Sequence, residues 1–279
     1  GKRDDMITIV APLEGMPAQK AGLRAGDKVY AINGESALGL TVTEAVKKIR
    51  GPKGTTVTLT IIRGEAKPFD VEIVRDKIVI ASVETEMRSD GYYIIRITNF
   101  NDDTEALFNQ AVNDILTKSP KGIILDLRNN PGGYLETAVF VASEWIEDGL
   151  VVAEQFGENR RNEHFSNQRA RLKDFATVVL INEGSASASE IVAGALRDYK
   201  EATIIGMKSF GKGSVQAVKD LSDGSSLKLT VAHWLTPAGD QINEKGIEPD
   251  ITVDFTEEDI KNEKDPQFDR ALEFLKTGK

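Results

Sequence analysis

The sequence has no cysteine, which excludes a disulfide framework, a thiol nucleophile and any thiolate metal site. Histidine is nearly absent too. With only His164 and His233 a multi-histidine metal centre cannot be built, and a histidine-based triad would have to use one of these two. Basic residues are outnumbered, 35 Lys and Arg against 44 Asp and Glu, for a net charge of −9. That is the wrong sign for a nucleic-acid surface, which needs clustered cations. No apolar run approaches the roughly 18–20 residues of a membrane span, so no integral membrane segment is expected. The sequence opens at Gly1, without an initiator methionine, a basic stretch or an apolar stretch, and so reads as a trimmed fragment whose targeting signal is lost.

What is present suits a globular protein: 279 residues, 40% hydrophobic and 28% charged, enough for one large domain or two modest ones. Residues 1–77 read as a small α+β module. Short strand-like runs (Met6–Ala11, Lys28–Ile32, Val57–Arg63) are separated by glycine turns. Thr41–Ile49 reads as a helix with Thr41 and Glu44 spaced as a capping box, and with Val42, Ala45, Val46 and Ile49 on one face. Over 78–255, apolar runs of buried-strand type (Tyr92–Ile97, Gly122–Leu127, Thr177–Ile181, Ala202–Ile205) alternate with helical stretches (Thr104–Thr117, Tyr134–Ile146, Ala188–Tyr199), which argues for an α/β core. Ser226–Trp234 returns to a strand pattern. Residues 256–279 are charged and helical by period, with Phe268, Ala271, Leu272 and Leu275 as a packing face.

Three segments carry candidate chemistry. Asn182–Glu190 (Asn-Glu-Gly-Ser-Ala-Ser-Ala-Ser-Glu) joins a strand to a helix through small residues, so a hydroxyl can stand at a cleft mouth beside unpaired N–H groups. Taken alone, it is equally a serine-rich helix cap. Ser209–Gln216 sets Lys212 between two glycines. Such a lysine is a general base only if burial lowers its pKa from about 10.4, and otherwise a solvated loop cation. Gly206–Lys212 also fits the opening of a phosphate-binding loop, but Gly213 stands where Ser or Thr would hold magnesium, and no helix pattern follows over Val215–Leu221. Asp126–Tyr134 places Pro131-Gly132-Gly133 after a buried strand, either as an oxyanion donor or as a tight turn over an Asp126–Arg128 pair.

In this order, the three segments resemble the C-terminal processing, or tail-specific, peptidases of family S41. The likeness extends to a PDZ-like start (Pro17–Asp27, Ile32–Gly34, Ile49–Gly54) and to Trp234–Pro237 and Lys245–Asp250. It implies a crotonase-like S41 peptidase core with a PDZ-like domain truncated at its N-terminus. It further implies a serine endopeptidase acting near the C-terminal tails of proteins through an acyl-enzyme, with Ser187 as nucleophile, Lys212 as base and Gln216 holding the amine. The backbone N–H groups of Gly132 or Gly133 and of Ala188 would form the oxyanion hole, with Glu190, Asp198 and Arg128 as supports. No cofactor or metal is implied. The implied partners are protein or peptide substrates with free C-termini, and a homo-oligomer through a missing N-terminal region. The implied location is extracytoplasmic, in a cell envelope or secreted. Two rivals stay open: a non-catalytic PDZ scaffold and a crotonase-like enzyme acting on a thioester.

Overall fold

The N-terminal part is built from short strands broken by turns, the longest of them, Thr56–Ile62, rich in β-branched residues. The strands are β1 (Lys2–Arg3), β2 (Met6–Thr8), β3 (Lys28–Ile32), β4 (Glu35–Ser36), β5 (Thr56–Ile62) and β6 (Phe69–Val74), with helices α1 (Pro17–Lys20) and α2 (Val42–Ile49). A computed structural model describes all residues except 1, 4–5, 10–11, 13–15, 25, 65, 79–80, 159, 221–224, 257, 260–261 and 279. Of the sequence expectations, Val10, Ala11, Ala25 and Leu221 lie outside the described residues. The chain divides into two units, Gly1–Ile80 and Ala81–Lys279.

In the first unit, the antiparallel sheet runs β1-β2-β3-β5-β6, with β4 on β3. The alternation of Val57, Leu59 and Ile61 with threonines turns one face of β5 inward. These residues pack with Ile7, Leu23, Val29, Ile32, Val71 and Ile73. The capping box of α2 forms as its sequence predicts, Thr41 Oγ1 accepting from Glu44 N and Thr41 N donating to Glu44. Its inward face is narrower than expected, since Ala45 is buried but Val42 and Val46 are exposed. Asp27 is fully buried and held by a bidentate pair with Arg63 at 2.7 and 2.8 Å.

The second unit adds β7 (Val83–Met87), β8 (Tyr92–Ile97), α3 (Thr104–Lys118), β9 (Gly122–Asp126), α4 (Leu135–Ala142), β10 (Leu150–Phe156), β11 (Arg160–Phe165), β12 (Thr177–Ile181), α5 (Ala188–Asp198), β13 (Thr203–Gly206), β14 (Ser214–Asp220), β15 (Ser226–Leu235), β16 (Ile251–Thr252) and α6 (Pro266–Thr277). One sheet has the order β16-β13-β12-β9-β8-β7 and is parallel except for β7. Its central strands are apolar on both faces. Ile123, Leu125, Val179 and Ile181 face a core with α3, α4 and α5, while Ile124, Val178 and Leu180 face Ala271 and Leu272 of α6. A second, antiparallel sheet has the order β11-β10-β15-β14.

Helix α4 ends at Ala142, four residues before its periodicity predicts. The carbonyls of Ser143 and Glu144 accept instead from Ala170 N and Leu172 N, and the fully buried Glu144 carboxylate takes a bidentate pair from Arg171. Those bonds replace the helical ones and free the chain to form β10.

Candidate active site

Strand β12 delivers the chain to a turn at Asn182–Ala186 that opens α5. Ser187 is the last residue before the helix, with φ 56° and ψ −114°. A non-glycine residue there stores strain, a conformation that persists only where surroundings enforce it and that clusters at functional sites. Small neighbours on both sides, Ala186 and Ala188, make the bend sterically feasible.

A second turn, after β9, locks onto the first. Asn182 Oδ1 accepts from Asn129 N at 2.8 Å, and Asn182 Nδ2 donates to Asn129 Oδ1 at 3.0 Å. Ser185 Oγ donates to Leu127 O, while Ala186 N and Ser189 Oγ both donate to Asn130 O. These bonds bring the Pro131-Gly132-Gly133 turn against Ser187. A Cβ on Gly132 would stand 2.7 Å from both Ala186 O and Ser187 Cβ, so only glycine fits, and its φ is +98°. A Cβ on Gly133 would fall inside the Phe100 carbonyl, with which this turn forms a bridge. Gly132 N donates to Asn130 Oδ1 at 2.9 Å. By contrast, the N–H groups of Gly133 and Ala188 have no acceptor among the described residues.

The third segment is tied in by one carboxylate. Glu190 is fully buried. Its Oε1 accepts from Ser209 Oγ and Gly211 N, both at 2.6 Å. Its Oε2 accepts from Ser187 N at 2.7 Å and Lys212 N at 3.0 Å. One oxygen therefore bridges the backbones of Ser187 and Lys212, whose nitrogens are no farther apart than the two bonds laid end to end, about 6 Å. Ser209 extends the clasp, accepting from Ile247 N at 2.6 Å, and Phe210 N donates to Ser185 O.

The Lys212 side chain is exposed, not buried as the sequence reading requires of a base, and makes no hydrogen bond or ion pair among the described residues. The reason is architectural: Glu190 holds the backbone of the loop and leaves the amine outside. Gln216 is also exposed, beside a register shift between β14 and β15. Asp198 pairs with Arg197 at 2.8 Å and accepts from Ala238 N, bracing the turn after β15. Arg128 is buried in a bidentate pair with Asp126 and reaches Asp265, the cap of α6, at 2.8 Å. Burial would lower the Arg128 pKa, but its hydrogen bonds to Asp126 and Asp265 outweigh this and raise it. After Lys212 the chain enters β14, not a helix, so the phosphate-loop alternative has no structural counterpart. His164 lies in β11 with Nε2 3.4 Å from Glu154. His233 lies opposite Ser214, two residues from Lys212, with Nδ1 buried and unpartnered among the described residues.

Peptidase family S41 matches residues 91–253, which contain all three segments, and a PDZ domain matches residues 8–63. The chain belongs to peptidase family S41. Its S41 relatives include the carboxy-terminal processing protease CtpA of Bacillus subtilis, 40% identical over 91% of this chain and 54% of that protein. A probable CtpA-like serine protease of Staphylococcus aureus is 43% identical over 91% of this chain and 51% of its own. The chain thus spans about half the length of these curated S41 relatives. Among solved structures, a photosystem II D1 C-terminal processing protease superposes with a TM-score of 0.62 at 32% identity, over 90% of this chain and 69% of that one. An S41 protein from Bacteroides fragilis, TM-score 0.65 at 18% identity, shares the fold. Among the described residues, no helix is long and apolar enough to cross a membrane.

Proposed function

We propose that this S41 chain is a serine endopeptidase of the C-terminal processing kind. The observation that carries the proposal is the Glu190 clasp, which ties the strained Ser187 and the Lys212 loop through the same oxygen. In this scheme the neutral Lys212 amine takes the proton of Ser187 Oγ, and the alkoxide attacks a peptide carbonyl. The developing oxyanion meets the N–H groups of Gly133 and Ala188. Gly132, whose N–H is engaged by Asn130, contributes shape rather than a donor. The protonated amine then passes its proton to the leaving peptide nitrogen, and water hydrolyses the acyl-enzyme. Gln216 orients the amine, while Glu190, Asp198 and Arg128 support the segments.

Because Lys212 is exposed in the free chain, the desolvation that makes it a base comes from the peptide covering it. The PDZ unit would recognise free C-termini by strand addition. The work of the protein would lie outside the cytoplasm, as the resemblance to the tail-specific peptidases implies.

The test joins covalent labelling to mutagenesis. A fluorophosphonate should form an adduct at Ser187, located by mass spectrometry. Lys212→Ala should lower peptide cleavage by about 10²–10⁴-fold, with a stability change within about 0.5 kcal/mol because the side chain is exposed and has no partner among the described residues. Full activity in that variant would sink the dyad. Labelling of some other residue would sink Ser187.

A further inference from the structure

One buried acceptor beside the proposed site has no donor. His233 Nδ1 is sealed from solvent and bonds to no described residue, whereas buried polar atoms are nearly always paired. The register shows what surrounds it. His233 stands opposite Ser214 of β14 on one side and Gln155 of β10 on the other, so the three side chains share one face of the sheet. Neither neighbour serves the ring. Gln155 Nε2 donates to Gly157 O and Arg160 O instead, and Ser214 makes no bond to Nδ1. That face is also the one toward Lys212. Trp234 N donates to Gly213 O at 2.7 Å, which carries the pairing of the two strands one residue past Ser214. A Cβ on Gly213 would meet Asn243 N at 2.1 Å, and Trp234, paired with it, packs in the core, so the glycine side is closed. Lys212 and Ser214 flank Gly213 and project from the opposite side, as Gln216 does two residues on. Lys212 is thus a diagonal neighbour of His233, about 7–8 Å away between Cα atoms, a separation that long side chains span.

We infer that His233 is a positioning residue for the base: once a peptide covers the site, the Lys212 amine donates a hydrogen bond to His233 Nδ1. The inference rests on the peptidase reading and completes the hydrogen bonding of the amine within it. The count of donors carries it. A protonated amine has three N–H groups and no acceptor. In the proposed reaction one points to Ser187 Oγ or the leaving nitrogen, and one to Gln216. The third has to be satisfied where water has been displaced. The ring has the opposite lack, a buried acceptor without a donor. His233 as a whole is only half-buried, so a turn about its χ2 presents Nδ1 to an amine folded down from solvent. Joined, the two groups satisfy each other and fix the rotation of the amine, which aims its lone pair, and later its proton, at the reacting atoms. The ring proton then lies on Nε2, leaving Nδ1 as the acceptor.

The experiment compares variants of the whole chain on a cleaved peptide and in fluorophosphonate labelling of Ser187. His233→Phe keeps a flat ring and removes the acceptor. It should lower kcat by about 10–100-fold, the loss of one hydrogen bond to a charged group, with KM nearly constant and labelling slowed alike. Its melting temperature should not fall, because Nδ1 holds no bond among the described residues to lose. His233→Asn carries its carbonyl oxygen as many bonds from Cα as Nδ1 and should recover most of the loss, which a purely structural role for the ring does not allow. In a Lys212→Ala background, His233→Phe should change labelling by less than about twofold. An unchanged kcat in His233→Phe overturns the inference, and so does a rise in KM alone, which would make the ring a substrate contact. An Asn variant as slow as the Phe variant overturns it too, as does an equal loss in the absence of Lys212. If Lys212→Ala itself labels and cleaves at the full rate, the dyad fails and this inference fails with it.

Discussion

Glu190 accepts four hydrogen bonds in full burial, two on each oxygen. Replacing it by glutamine turns one acceptor into a donor, and the neighbours decide which. Only Ser209 Oγ, a hydroxyl, can reverse its bond, so the new NH₂ group settles where Oε1 stood, facing Ser209 and Gly211. Gly211 N–H is then left against another N–H, a buried orphan worth about 1–3 kcal/mol. For a unit of this size, about 2 kcal/mol is a fall in Tm of roughly 4–8 °C. The orphan sits one residue before Lys212, so relaxation moves the proposed base, and a misplacement near 1 Å costs about 10²-fold in rate. Steady-state peptide hydrolysis well below the melting range, with thermal unfolding followed by circular dichroism, measures both effects. Positioning predicts a large loss in kcat with KM nearly constant. A Glu190→Gln protein that melts lower but keeps kcat within twofold would show that the carboxylate merely braces the fold.

Two further outcomes follow from single contacts. Gly132→Ala places a methyl group 2.7 Å from Ala186 O and Ser187 Cβ at a φ of +98°, so fluorophosphonate labelling of Ser187 should slow by about 10²-fold. An unchanged labelling rate would refute the close approach of the two turns. In the first unit, the hydrogen bond from Arg63 outweighs burial and holds the Asp27 carboxyl below its ordinary pKa. Its stabilisation is therefore fully present above the unfolded value, about 3.9, and is lost as pH falls through the folded value. Asp27→Asn should lower the melting temperature of this unit at neutral pH, with the gap to wild type closing below about pH 4. A gap that stays constant to pH 2.5 would dismiss the pair as a source of stability.

Elements whose burial is written in one segment could be read from the sequence. Tyr92–Ile97 and Thr177–Ile181 are strands with the predicted ends: Thr177–Ile181 is buried throughout, and in Tyr92–Ile97 only Arg96 interrupts the apolar run and is exposed. The sequence pattern does not mark β10, β11 and β14 as strands. Arg160–Phe165 is polar and mostly exposed, so it carries no alternation, and its pairing is decided by Leu150–Phe156 alongside it. The same distinction divides the site. Ser187, Lys212, Gly132 and Gly133 were visible as residue types in unusual company. Asn130, Asn182, Ser185 and Ser189, which lock the two turns together, looked like ordinary turn and cap residues. Their partners lie more than 50 positions away, and only the parallel pairing of β9 with β12 reveals them. Glu190 enters from the sequence only as a support that the family resemblance implies, and its four bonds and the Ser209 loop belong to tertiary structure.

Alignment in this site is carried by main-chain groups. Three of the four donors to Glu190 are backbone N–H groups, and the two turns are joined through backbone carbonyls of Leu127 and Asn130. In the proposed mechanism, side-chain exchange at Lys212 or Gln216 therefore removes chemistry without moving the frame, whereas change at Glu190 or Gly132 moves the frame and leaves the proposed chemical groups in place. A double-mutant cycle separates the two. Removing Lys212 from a Glu190→Gln background should cost far less activity than removing it from wild type, because a base already displaced has little left to lose. Additive losses would mean that Glu190 and Lys212 act independently, and the shared oxygen between Ser187 N and Lys212 N would then have no catalytic consequence.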